Sequence, residues 1–142
     1  MQLPYLAILA AAAASWIFGA IWFGVFGRVW AVGLGLLPAG APPQPGKPPI
    51  FLISSVMRSG VAVIFALVLS LVLEVVMAAA LAGLLTHIAG AQFSMKSALV
   101  SGFFVWFGFI APTVATNYAY QRRPWSVWAV DGGHWLGVTL IQ

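Results

Sequence analysis

The first 27 residues of this chain contain no Asp, Glu, Lys or Arg, and two later stretches of similar length are almost as free of charge. Of the 142 residues, 63% are hydrophobic and 6% are charged, whereas a soluble domain is about 25% charged. So few polar side chains cannot cover the water-exposed surface of a fold of this size. The chain is therefore predicted to have lipid as the solvent of most of its surface.

The apolar stretches are long enough to be counted as membrane spans. A helix needs roughly 20 apolar residues to cross a hydrocarbon core about 30 Å thick. The sequence predicts an all-α fold, a compact bundle of four transmembrane helices in one domain (1–142), with helices at about 3–27, 57–88, 96–120 and 125–142. The first helix is expected to remain as an anchor, because its apolar run is too long for a cleaved signal peptide.

The connection between the first two predicted helices, residues 33–49, is rich in proline and glycine. Proline removes a backbone donor and fixes φ, so this segment is predicted to be an extended linker rather than helix or strand. The other two connections are short. Cysteine is absent from the sequence, which excludes disulfides and thiolate-bound metals.

Basic residues are distributed unevenly between the two predicted faces. Lys96 is the single base on one face, and five bases occupy the connections on the other: Arg28, Lys47, Arg58, Arg122 and Arg123. Because cytoplasmic loops carry the excess of Lys and Arg, these connections are predicted to be cytoplasmic and both termini outside. A net charge of +4 is too sparse for a nucleic-acid partner.

Each predicted helix has small residues at four-residue spacing, which allows close approach between helices in lipid. The pairs include Ala11 and Ser15, Ala78 and Ala82, Ala98 and Gly102, and Gly133 and Gly137. These faces favour one bundle, and they are also candidates for contact with copies of the chain or with other subunits. Pro112 is predicted to kink the third helix, either as a static bend or as a hinge.

Three ionisable residues fall inside predicted spans, where such groups are candidates for function: Glu74, Asp131 and His134. Glu74 is either a proton- or cation-binding carboxylate or a hydrogen bond that holds two helices together. Asp131 and His134 share a helix face at i, i+3 spacing. Their expected partners are each other or Asn117, with Arg122 or Arg123 as alternatives for Asp131.

No catalytic or cofactor motif is present, and the chain is predicted not to be an enzyme. Glu74 is expected at a different height from Asp131, so no metal centre is predicted. A single-histidine ligand to haem or to a chlorophyll-type magnesium at His134 stays open as an alternative.

Two stretches of sequence resemble a known family. The start, from Tyr5 through the alanine run 10–14 to Phe23, and the end, with Asn117–Tyr118, Arg122–Trp125 and Asp131–His134, are similar to the small bacterial membrane proteins of domain-of-unknown-function family 1761. The resemblance implies a four-helix protein of the bacterial inner membrane. It implies no activity.

Two functions follow as hypotheses. The first is a non-enzymatic bundle that acts by association, as an accessory subunit of a larger membrane complex or as a homo-oligomer. The alternative is a small proton- or cation-coupled transporter or channel that uses Glu74 with Asp131 and His134.

Overall fold

The computed structural model describes residues 4–40, 60–89 and 94–142. These residues form four helices, as predicted: α1 (Tyr5–Gly33), α2 (Gly60–Ala89), α3 (Met95–Tyr120) and α4 (Trp125–Ile141). Three of them, α1, α2 and α3, are long and apolar enough to cross a membrane. The fourth has 17 residues and spans roughly 25 Å at 1.5 Å per residue.

The first helix ends six residues later than its predicted end at residue 27. It continues through Arg28 because a single charged side chain does not interrupt the backbone hydrogen bonds of a helix. It ends where Gly35 adopts a φ of 75°, a left-handed conformation that glycine accepts without strain. Residues 41–59, which hold most of the predicted linker together with Lys47 and Arg58, lie outside the described residues.

The third helix contains one wide turn beside its proline. Ser94 and Ser97 form a capping box at its start, and Trp106–Ile110 adopts π-helical geometry in its middle. Within this turn the amide of Ala111 donates to the carbonyl of Trp106, a loop one residue longer than in an α-helix. Pro112 follows immediately and has no amide to donate. The π turn thus lies directly before Pro112, and the kink expected there stays a prediction.

The four helices pack in a ring in which each helix meets its chain neighbour and α1 also meets α4. The contacts of α1 with α2, of α1 with α4 and of α3 with α4 are extensive. In the described part of the chain, α2 meets α3 only along Met95–Val105, the part of α3 that follows the short connection. This arrangement places α4 between α1 and α3.

Small residues make the closest approaches around α4. A Cβ atom at Gly102 of α3 would collide with the backbone oxygen of Thr139, and one at Gly137 would collide with the ring of Phe18. A Cβ atom at Gly83 of α2 would meet no other atom within 4 Å. The close backbone approach predicted at small residues is thus found at Gly102, whereas Gly137 lies against a Phe18 ring and Gly83 faces open space.

Candidate functional site

Asp131 is the centre of a polar cluster that joins three helices. Its Oδ2 atom accepts a hydrogen bond from the hydroxyl of Tyr118 in the last turn of α3, and another at 3.1 Å from the indole Nε1 of Trp30 near the end of α1. The carboxyl group is buried, with 8% of the residue exposed. The cluster therefore ties the ends of α1 and α3 to the second turn of α4.

The donors to Asp131 differ from the ones predicted, which were His134, Asn117, Arg122 and Arg123. Asn117 is exposed on α3. Arg123 donates instead to the carbonyl oxygen of Leu34 at 3.0 Å. The donors are long aromatic side chains on two other helices, and the spacing of residues in the sequence does not show which side chains of other helices contact Asp131.

Arg122 is exposed and has a φ of 52°, so it turns the chain between α3 and α4. Arg28 is half-buried and lines an open groove of about 470 Å³ between the end of α1 and the start of α4. Of the five bases predicted to share one face, the three described ones, Arg28, Arg122 and Arg123, lie at the same end of the bundle. The bond from Arg123 to Leu34 also places the start of the α1–α2 connection beside the α3–α4 connection.

His134 lies one turn further along α4, enclosed by aromatic rings and by the backbone of α1. Its imidazole stacks on Phe18 with a centroid separation of 6.1 Å and also contacts Phe23 at 5.0 Å. A Cβ atom at Gly19 would lie 2.8 Å from the Nε2 atom of His134. Because α1 covers this nitrogen, the geometry disfavours the single-histidine haem or pigment ligand that the sequence left open.

Glu74 belongs to a second polar contact at the far end of α4. Its Oε2 atom accepts a hydrogen bond at 2.7 Å from the Nε2 atom of Gln142, and that amide is also 3.2 Å from the backbone oxygen of Glu74. Gln142 is 11 positions beyond Asp131, which corresponds to roughly 16 Å along α4. Glu74 thus bonds to the residue that follows the last turn of α4, whereas Asp131 lies in the second turn of the same helix.

Tryptophan side chains provide further cross-links between helices, which were not predicted from the sequence. The indole of Trp22 on α1 donates to the carbonyl of Val130 at 2.9 Å, and that of Trp106 on α3 donates to the carbonyl of Gly132 at 2.8 Å. A buried Trp N–H usually finds a hydrogen-bond partner, so the seven tryptophans were the available signal. Two carbonyls in the second turn of α4 therefore accept hydrogen bonds, one from α1 and the other from α3.

The contacts described above are hydrogen bonds that join helices. Each buried acid accepts hydrogen bonds from a neighbouring element, and each bonded indole fixes one helix against another. Among the described residues, no group of three or more His, Cys, Asp or Glu side chains could hold a metal ion. The interior of this chain is a set of polar cross-links centred on α4.

The fold and these cross-links define a class, a helical protein suited to a membrane and held together by polar contacts around its shortest helix. The family model described as "Protein of unknown function (DUF1761)" matches residues 6–142. The chain therefore belongs to the DUF1761 family, as the sequence resemblance indicated. Comparison with curated proteins and with solved structures gives no significant match.

Proposed function

We propose that all four helices cross the bacterial cytoplasmic membrane and that the chain acts by association, without catalysis. In this proposal it is an accessory subunit of a larger membrane complex or a homo-oligomer. Its partners are lipid and other membrane-embedded protein surfaces.

The observation that supports association most directly is the pairing of both acids inside the chain. Glu74 bonds to Gln142, and Asp131 bonds to Trp30 and Tyr118. A hydrogen bond between helices is a structural use of an intramembrane acid. A transported proton or cation would have to break these bonds in every cycle.

The separation of the acids favours association over transport. Proton relays in pumps and transporters use chains of Asp, Glu and His side chains. Glu74 bonds to Gln142 at the end of α4, roughly 16 Å along the helix axis from Asp131 in the second turn. Between them, aromatic rings and the α1 backbone enclose His134.

The proposed orientation has the α1–α2 and α3–α4 connections in the cytoplasm. Arg28, Arg122 and Arg123 at one end of the bundle support it, because cytoplasmic ends carry the excess of bases. Exposed Trp125 at this end and exposed Tyr5 at the other fit the aromatic belts of a bilayer.

The absence of native cysteine makes the orientation directly testable. Ser94→Cys and Arg122→Cys place single thiols on exposed residues at opposite ends of α3. In spheroplasts, a membrane-impermeant maleimide is expected to label the thiol at position 94 and to reach position 122 only after lysis. Labelling of position 122 before lysis would reverse the proposed orientation.

Association is tested by purification in a mild detergent after brief crosslinking in the membrane, using two differently tagged copies. The proposal expects either co-purification of the second tag or a stoichiometric membrane partner. Glu74→Gln should leave this assembly unchanged. A lone monomer, together with proton or cation flux in liposomes that Glu74→Gln abolishes, would overturn association in favour of transport.

A further inference from the structure

The groove between the end of α1 and the start of α4 combines an apolar wall with a positive charge. It has a volume of about 470 Å³ and is lined by Arg28, Val29, Val32, Gly33, Pro124 and Ser126. The two helices touch at Gly33, since a Cβ atom there would collide with the side chain of Val127. The groove is therefore a cleft beside two packed helix ends, with a guanidinium group in an otherwise mostly apolar wall.

Arg123 lies beside this groove and is held there by its hydrogen bonds. It directly precedes Pro124, and its Nη1 atom donates at 3.0 Å to the carbonyl oxygen of Leu34, the residue after Gly33. Its Nε atom donates at 3.5 Å to Oε1 of Gln121. A guanidinium group has five N–H donors, and within the described part of the chain the Nη2 atom of Arg123 has no acceptor. Arg123 is thus fixed next to the groove with donors left for an anion.

The acids of the chain do not balance the bases at this end of the bundle. The sequence contains two acids, and one of them, Glu74, bonds to the residue at the far end of α4. Asp131 is therefore the single acid set against three arginines in the described chain, Arg28, Arg122 and Arg123. Such an excess of positive charge favours an anionic ligand.

The position of the groove along α1 matches the phosphate layer of a bilayer. The 29 residues of α1 correspond to about 43 Å at about 1.5 Å per residue, whereas the hydrocarbon core is about 30 Å thick. A helix of this length that crosses the membrane extends into the headgroup region, and the groove lies along its last six residues. Basic pockets between transmembrane helices are typical sites for the headgroups of anionic lipids.

We propose that this groove binds an anionic phospholipid, with the phosphate between Arg28 and Arg123 and an acyl chain against Val29 and Val32. Arginine suits this role because its planar group can donate two parallel hydrogen bonds to one phosphate. A zwitterionic lipid binds less tightly, because the excess of bases repels its ammonium group. The inference rests on the proposed membrane spans and is independent of the proposed association.

The test uses the full chain, purified in a mild detergent and stripped of lipid, and counts bound lipids by native mass spectrometry. The first phosphatidylglycerol is expected to bind at least fivefold more tightly than phosphatidylcholine with the same acyl chains. Inorganic phosphate should change this binding less than twofold relative to chloride at equal ionic strength. Equal binding of the two lipids would overturn the proposal, and displacement by inorganic phosphate would show that the occupant is a free anion and not a lipid.

Two matched variants locate the site at one end of the bundle. Arg28→Gln removes a charge from the groove and is expected to weaken the first phosphatidylglycerol at least fivefold. Arg122→Gln removes the same charge from an exposed position outside the groove wall and should keep the binding within twofold. Equal weakening by both would indicate diffuse attraction to the basic end and contradict the groove. If Arg28→Gln does not fold, Ser126→Glu, which places a negative charge in the exposed part of the wall, should give the same fivefold loss.

Vesicle flotation separates a failure of this inference from a failure of the proposed membrane spans. The unaltered chain is expected to float with liposomes after an alkaline wash. A chain that stays behind would overturn the spans and the lipid site together. A chain that floats but binds both lipids equally would overturn the lipid site alone.

Discussion

The second and fourth helices differ in almost every respect. The 30-residue helix α2 is strongly apolar, and large side chains such as Val61, Phe65 and Val72 are more than half exposed. In α4, 17 residues include Asp131, His134 and Thr139, and all three of these polar side chains are buried. A soluble protein would bury the apolar helix and expose the polar one. The reverse arrangement is the one that lipid favours, because polar groups in hydrocarbon need partners inside the protein.

The comparison shows that the helix with the weakest membrane signal contributes most to holding the chain together. Indoles of α1 and α3 bond to carbonyls of α4, and Asp131 of α4 accepts hydrogen bonds from both of these helices. Gly133 and Gly137 of α4 lie against the rings of Trp22 and Phe18 on α1. By contrast, α2 lies against α1 and turns most of its surface outward. Substitutions around α4 are therefore expected to cost more than similar ones on the outward side of α2.

The largest difference is expected between two glycines. Gly102→Ala places a Cβ atom against the backbone oxygen of Thr139 and should lower the free energy of unfolding by about 2–3 kcal/mol, in the range of overpacked interiors. Gly83→Ala meets nothing within 4 Å and should be neutral or slightly stabilising. Reversible unfolding in mixed detergent micelles measures both, and equal effects would show that α3 and α4 do not approach as described.

The next largest effect is expected at Asp131. Asp131→Ala leaves the Trp30 indole and the Tyr118 hydroxyl without their acceptor and should cost about 2 kcal/mol. Asp131→Asn keeps an acceptor oxygen and should cost less. A double-mutant cycle with Tyr118→Phe checks the contact, since an energy of coupling near zero would contradict a direct hydrogen bond.

The tryptophan cross-links are expected to contribute less individually. Trp106→Phe removes the hydrogen bond to the Gly132 carbonyl but keeps an aromatic ring, and should cost about 1 kcal/mol. Trp125→Phe is the matched control, because Trp125 is 76% exposed. The same unfolding measurement should separate the two, and a larger loss at position 125 would argue that the aromatic belt, not the bond to α4, stabilises the chain.

The smallest effect is expected at Glu74. Glu74→Gln keeps an oxygen that accepts the hydrogen bond from Gln142, so the free energy of unfolding should change by less than about 0.5 kcal/mol. Glu74→Leu, which has no acceptor, should cost more. If both variants were equally stable, the hydrogen bond between Glu74 and Gln142 would not stabilise the fold. That result would favour a transport role for the Glu74 carboxylate.

The sequence predicted the number and order of the helices because long uncharged runs are a direct consequence of bilayer thickness. It also placed Glu74 and Asp131 at different heights, since the rise per residue is constant along a helix. The π turn at Trp106–Ile110, directly before Pro112, was not predicted.

The partners of the polar residues were not predictable in the same way. The bonds from Trp30 and Tyr118 to Asp131 depend on rotamers and on how far each helix is rotated about its axis. Helical spacing fixes which residues share a face but does not fix that rotation. The contact of His134 with Gly19 has the same origin, because it requires α1 and α4 to cross at one particular pair of positions.

In the proposed arrangement, α4 is enclosed by protein and α2 faces lipid. The most direct measurement is the oxygen accessibility of single spin labels, attached to cysteines introduced one at a time along Gly60–Ala89 and Trp125–Ile141 and recorded by electron paramagnetic resonance in nanodiscs. High accessibility is expected at exposed positions of α2 such as Val68 and Val72, and low accessibility is expected at Val127, Val130 and Val138 of α4. Equal accessibility along both helices would contradict it.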